Sequence, residues 1–177
     1  MGPGLRKLAL TVHISTSVGW LGAVLAFLAV ATSGLARRDP QLLKAAYIAM
    51  DWIGWYGLVP LSFASLLSGL LQALGTHWGL FRHYWVLFKL GINLLANGVL
   101  LLFMLGLSGI AARAAAETTL SSATIAELRG NFAPVLHASV AVALLVAATV
   151  LSVYKPQGRT PYGWSKDRER PARVPLG

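Results

Sequence analysis

Apolar residues run along this chain in four nearly unbroken stretches, 8–30, 53–74, 86–110 and 135–154. Each is long enough to cross a hydrocarbon core roughly 30 Å thick as a helix of about 20 residues. None shows the period-two alternation of a barrel strand, and a chain in lipid satisfies its backbone amides only as helices or as a closed barrel. The pattern therefore predicts an all-α integral membrane protein, a four-helix transmembrane bundle. The segments 39–50 and 121–132 are positioned to extend the second and fourth helices as amphipathic turns outside the apolar slab. Asp39 before Pro40 fits an N-cap with proline at the first helical position. Pro60 and Pro134 predict local kinks.

Composition sharpens this reading. Of 177 residues, 56% are hydrophobic and 12% charged, against about 25% charged in an ordinary soluble domain. Basic residues set the orientation. With the N-terminus inside, the cytoplasmic segments hold Arg6, Lys7, Arg82, Lys155, Arg159, Lys166, Arg168, Arg170 and Arg173, and the outer loops hold Arg37, Arg38, Lys44, Arg113 and Arg129. That bias predicts an N-in/C-in topology. Residues 1–154 then form the membrane domain and 155–177 a flexible basic cytoplasmic tail able to touch anionic lipid. The net charge of +9 is no nucleic-acid signal, because the basic residues flank the spans. A cleaved signal peptide ending near Ala29–Ala31 is the rival reading of the first run; its length and its polar residues His13, Ser15, Thr16 and Ser17 favour a retained helix. Without cysteine, disulfides, iron–sulfur clusters and thiol chemistry are excluded.

Ionisable side chains within a slab cost a few kcal/mol unless they face a partner or water. Here they are His13, Asp51, Lys89 and His137, while His77 and His83 stand at the inner interface. At about 1.5 Å of rise per residue, His13 and Lys89 share a level near the inner side, whereas Asp51 and His137 lie near the outer side. His13 and His137 are too far apart in depth to ligate one iron together. Lys89, Asn93 and Asn97 recur at i, i+4 and i+8 on one helical stripe, and His13, Ser17 and Trp20 share a face of the first helix. Ser65, Ser68 and Gln72 do so on the second. Such polar interiors either hold a cofactor or join helices by hydrogen bonds. Small residues at four-residue spacing, Ser15, Gly19 and Ala23, then Ser65, Gly69 and Ala73, predict close helix contacts. Trp52, Trp55, Tyr56, Trp78, Phe81, Tyr84 and Trp85 cluster near span ends as an interfacial belt would.

His13 followed by six residues and Trp20-Leu21-Gly22-Ala23 resembles the first helix of the CopD-like membrane superfamily, which includes HemJ-like porphyrin-handling proteins. Tyr84 to Leu90, with Lys89 after a short apolar approach, is similar to the third helix of the same group, and the whole chain resembles small bacterial four-helix membrane proteins of that type. The resemblance implies the bacterial inner membrane, a haem b cofactor, His13 as iron ligand and Lys89 beside the porphyrin. Leu87 stands where HemJ-type proteins carry a histidine, so haem binding is implied rather than protoporphyrinogen oxidation.

The expected function is a haem-binding protein with a redox or electron-transfer role, extending to a haem-dependent oxidoreductase. His13 would ligate iron, Lys89 and Asn93 would hold a propionate, and Ser17, Trp20 and His83 would complete the surroundings. His137 is a second metal-ligand candidate, with Asp51 orienting its other nitrogen. One alternative is a metal-ion or proton conduit of the CopD copper-handling type, using Asp51, His137, Asn97, Asn93, Lys89 and His13 as a ladder. Only three methionines and no cysteine make it a poor Cu(I) path. The other is an auxiliary subunit of a larger membrane complex or a homo-oligomer.

Overall fold

The computed structural model describes residues 2–75, 79–154 and 158–168. His77 and Trp78, Lys155 and the tail from residue 169 lie outside the described residues.

Four helical rods, each long and apolar enough to cross a membrane, make up the molecule. The first is α1, Pro3–Ala36. The second is α2, Pro40–Ile53, which continues through a π turn, Gly54–Leu58, into α3, Val59–Gly75. The third is α4, Tyr84–Ala116. The fourth joins α5, Ser122–Gly130, to α6, Ala133–Tyr154. A short helix α7, Pro161–Arg168, follows.

The first and third rods extend the expected spans at both ends, and the second and fourth carry the extensions expected before them. Capping explains where the second and fourth begin. Asp39 accepts from the Gln41 amide, and Ser121 accepts from the Thr124 amide, so each satisfies an amide that the first helical turn leaves without a partner. The kink expected at Pro60 is absorbed upstream. Pro60 has no N–H to give to the carbonyl four residues back, and the chain shifts to π spacing, with the Val59 amide bonding the Gly54 carbonyl. At Pro134 the helix restarts instead: Gly130 ends α5, and the Asn131 side chain caps the Ala133 amide at 3.1 Å.

The rods pack as a square. α1 contacts α2 and α3 on one side and α6 on the other, and α4 contacts α2 and α3 on one side and α6 on the other. α1 and α4 thus lie on a diagonal. The start of α1 and the short helix α7 sit at one end of the bundle, here called the near end: Gln72 at the end of α3 bonds the Ala9 carbonyl, the Tyr84 amide bonds the Gly158 carbonyl and the Thr160 amide bonds the Arg82 carbonyl. The first part of the tail is therefore docked on the α3–α4 connection. Gly163 is required by it, since a Cβ there would lie 2.5 Å from the Arg82 carbonyl oxygen.

A mostly apolar interior carries a few polar residues, and the outside of the bundle is apolar as well. Ser62, Ser65, Ser68 and Asn97 are buried, while Leu67, Leu71, Leu102 and Leu105 point outward. That arrangement suits lipid as the surrounding solvent. Two close approaches set rod spacing. A Cβ on Gly34 would lie 2.5 Å from the Ala46 Cβ, and one on Gly54 would overlap Met104. At the far end, Tyr47 donates to the Leu128 carbonyl at 2.9 Å and Lys44 bonds the carbonyls of Ala115 and Glu117. These bonds tie the α2 and α5 extensions to the end of α4.

Candidate functional site

The α1–α3 contact is a polar zipper. Gln72 donates to the Ala9 carbonyl at 2.9 Å, His13 Nδ1 lies 3.1 Å from the Ser68 hydroxyl, and the Ser17 and Ser65 hydroxyls are 2.8 Å apart. Ser68 has one hydroxyl hydrogen, and it points to the Ala64 carbonyl at 2.6 Å. We therefore assign the ring proton of His13 to Nδ1, which donates to Ser68 and leaves Nε2 as the lone-pair nitrogen. The ring lies directly over Gly69, where a Cβ would come 3.0 Å from His13 Cε1. Glycine here is what lets the imidazole reach α3.

Lys89 stands on α4 within electrostatic range of His13, as their common level predicts. Its ammonium is 6.0 Å from the Trp85 ring centroid, at the limit of a cation–π contact. The stripe below it is turned on itself. Asn93 donates to the Lys89 carbonyl at 2.9 Å and Asn97 to the Asn93 carbonyl at 2.8 Å, so one N–H of each side-chain amide is used within its own helix. Asn97 is buried, and its Oδ1 has no partner. His83 precedes Tyr84 at the near end and pairs with Arg159 in a β-bridge. It caps α4 in extended conformation, six residues before Lys89.

The outer group separates in the same way. Asp51 Oδ1 accepts from the Ser108 hydroxyl at 2.5 Å, and Ser108 accepts from the Trp55 indole at 2.7 Å. This network sits between α2 and α4. His137 Nδ1 instead lies 2.8 Å from the Ala133 carbonyl of its own helix. The expected Asp51–His137 pair is not formed, because each group already has a nearer partner. The residues of the expected ladder are spread over four helices: Asn97, Asn93 and Lys89 on α4, Asp51 on α2 against Ser108 of α4, His13 on α1 and His137 on α6. Among the described residues, no three histidine or carboxylate side chains converge as a metal site.

What His137 faces is a cavity. About 330 Å3 of space lies between α4 and α6, closed on the inside by Trp20 and Phe27 of α1 and Leu58. Trp20, expected beside His13, belongs here instead. The His137 ring stacks on Phe103 at 4.6 Å between centroids with 23° between planes, and Phe103 meets Phe27 edge-on at 6.1 Å across the bundle diagonal. A carbonyl can only accept, so the Ala133 contact places the ring proton of His137 on Nδ1. Nε2 then carries the lone pair, on a ring that is part of the cavity wall. No lysine, arginine or carboxylate lines it. Leu95, Val99, Leu136 and Val140 line the space and are also exposed on the outside of the bundle, so the cavity opens sideways between α4 and α6.

No family model, curated protein or solved structure matches this chain. The site rests on its own geometry.

The residues that make the cavity, Phe27, Phe103 and Ala141, left no mark in the sequence as functional. They read as ordinary apolar positions of three separate spans. Ser108 could have been found by its distance from Asp51 along two antiparallel rods, and Gly69 by the small-residue stripe that runs opposite His13.

Proposed function

We propose that this chain is a multi-pass membrane protein that binds a lipid-soluble, ring-bearing redox molecule in the cavity between α4 and α6. The observation that carries this reading is a ring-sized apolar space fronted by a single imidazole whose Nε2 is bare. Its inner wall is built of aromatic rings, which stack on a flat guest. Its opening faces the side of the bundle, where lipid would lie, and not the ends. The redox character rests on the resemblance of the His13–Ala23 and Tyr84–Leu90 segments to porphyrin-handling proteins, and an N-in/C-in placement in a bacterial inner membrane rests on the distribution of Lys and Arg.

The features a haem b would need are divided between two places. The cavity offers an iron ligand in His137 Nε2, but its roughly 330 Å3 is short of a whole porphyrin and it has no cation for two propionates; the His13 region has Lys89, but its imidazole is wedged against Gly69 and Ser68. Haem supplies one-electron chemistry when bound, and with it His137 rather than His13 would be the ligand. A ring without carboxylates meets the lining with less cost, since no charge has to be desolvated there.

The test is to purify the protein in detergent, record its absorption spectrum and analyse the bound small molecules by mass spectrometry, beside Ala141→Phe, which fills the cavity. A ring compound near one equivalent in the wild type and absent from Ala141→Phe is expected, with a Soret band if it is haem. Equal amounts in both proteins, or none in either, contradict the reading.

A further inference from the structure

We infer that the cavity selects the reduced, hydroxyl-bearing form of a ring compound, a hydroquinone, over the matching quinone, through a hydrogen bond from a ring hydroxyl to His137 Nε2. This rests on the reading of the cavity as a ring-binding site and names the chemistry of its guest.

The argument turns on a single hydrogen. The Ala133 carbonyl, 2.8 Å from Nδ1, has no hydrogen to give, so the neutral imidazole must carry its proton there. Nε2 is then an acceptor only. The ring cannot readily swing to offer a different edge, because Phe103 covers its face at 4.6 Å. A hydroquinone O–H donates to that lone pair; a quinone carbonyl brings a second acceptor against it, and the two repel. The remaining wall is apolar or aromatic with no charged side chain, and the one other polar side-chain atom among the lining residues is the indole N–H of Trp20. The size agrees as well. A space of about 330 Å3 lies at the lower end of small-molecule sites, which run from roughly 300 Å3 upward, and suits one or two fused rings. The sideways opening past Leu136 and Val140 lets an alkyl or isoprenoid tail remain among lipid chains while the head group is inside.

Other features of the molecule do not compete with this site. Hydroxyls and amides in the α1–α3 zipper are paired across the helices. The Asp51–Ser108–Trp55 network is closed on itself.

The experiment is anaerobic titration calorimetry of the purified full chain with 2-methyl-1,4-naphthohydroquinone and, separately, with its quinone. Wild type is expected to bind the hydroquinone about tenfold more tightly, the effect of one hydrogen bond gained against one unmet acceptor. His137→Phe keeps the apolar cavity and should bind both forms with the weaker affinity. Ala141→Phe should bind neither, which separates the cavity from partition into detergent. Equal affinity of wild type for the two forms overturns the selectivity while leaving the cavity reading in place, and the wild-type comparison needs no variant to fold. Binding of neither form to wild type overturns this inference, and the identity of the co-purifying compound then decides the cavity reading by itself. A preference that persists in His137→Phe shows that some other group reads the hydroxyl and also overturns it.

Discussion

The two contacts that α1 and α4 make on opposite sides of the bundle are built from different materials. Along α1 and α3, serines, a glutamine and a histidine bond across the interface over a bare glycine. Between α4 and α6, leucines, valines and aromatic rings stop short of each other and leave a space. Each contact holds one histidine with its proton on Nδ1, yet the two histidines are in opposite situations. His13 gives its proton to a neighbouring helix and so joins two rods. His137 gives its proton to its own helix and keeps its other nitrogen for something else. A histidine within a membrane span is thus read from where its first hydrogen bond goes, and depth alone does not distinguish the roles.

The comparison can be broken at several points. Gly69→Leu drives a side chain into the His13 ring and should lower stability by about 3 kcal/mol, the upper end for overpacking, seen as a fall in melting temperature in detergent. A melting temperature like that of wild type would show that the α1–α3 contact is loose. Ala141→Phe, on the other side, adds a group of similar size, yet should leave the melting temperature unchanged or raise it, since it enters space that is already there. A loss as large as that of Gly69→Leu would mean the cavity is closed. Smaller in effect is the Ser17–Ser65 pair, where a double-mutant cycle with alanine should give a coupling near 0.6 kcal/mol, the average for polar pairs between membrane helices. No coupling would remove the hydroxyls from the zipper.

The far-end connection gives the smallest effect. Glu117 accepts from the Ser121 amide at 2.8 Å and from the Thr124 hydroxyl at 2.7 Å, and these bonds hold its carboxyl below the usual carboxylate range. A lowered value in the folded state means the contribution is present at neutral pH and is lost as the pH falls through the folded value. Glu117→Gln should therefore cost a little at pH 7 and nothing in strong acid, read as two melting curves that converge. Curves that stay apart in acid would assign the effect to shape and not to charge.

Four apolar runs announced four rods, because about 20 consecutive apolar residues have few other uses. The caps at Asp39 and Ser121 were also legible, since their hydrogen bonds are local. Rod length was not: Pro3 to Lys7 and Arg113 to Ala116 continue α1 and α4 in segments with no continuous apolar signal. The polar stripes on the first three spans were readable from spacing; those of the first two meet as a zipper between α1 and α3, while the third, on α4, is turned on itself. Which histidine fronts a cavity was not readable, for it depends on Ser68 and Ala133 as hydrogen-bond partners and on the spacing of Phe27 and Phe103 across a diagonal. Those distances come from packing between rods, not from the pattern along any one of them.

The measurement that goes most directly to the centre of this account is the amount of ring compound retained by His13→Ala and by His137→Phe, each purified beside the wild type. If the cavity is the site, His13→Ala keeps the compound in proportion to folded protein, and His137→Phe loses it or, for an uncharged guest, holds it several-fold more weakly. Retention by His137→Phe together with loss from a folded His13→Ala protein would contradict the account and return the site to the α1–α3 side.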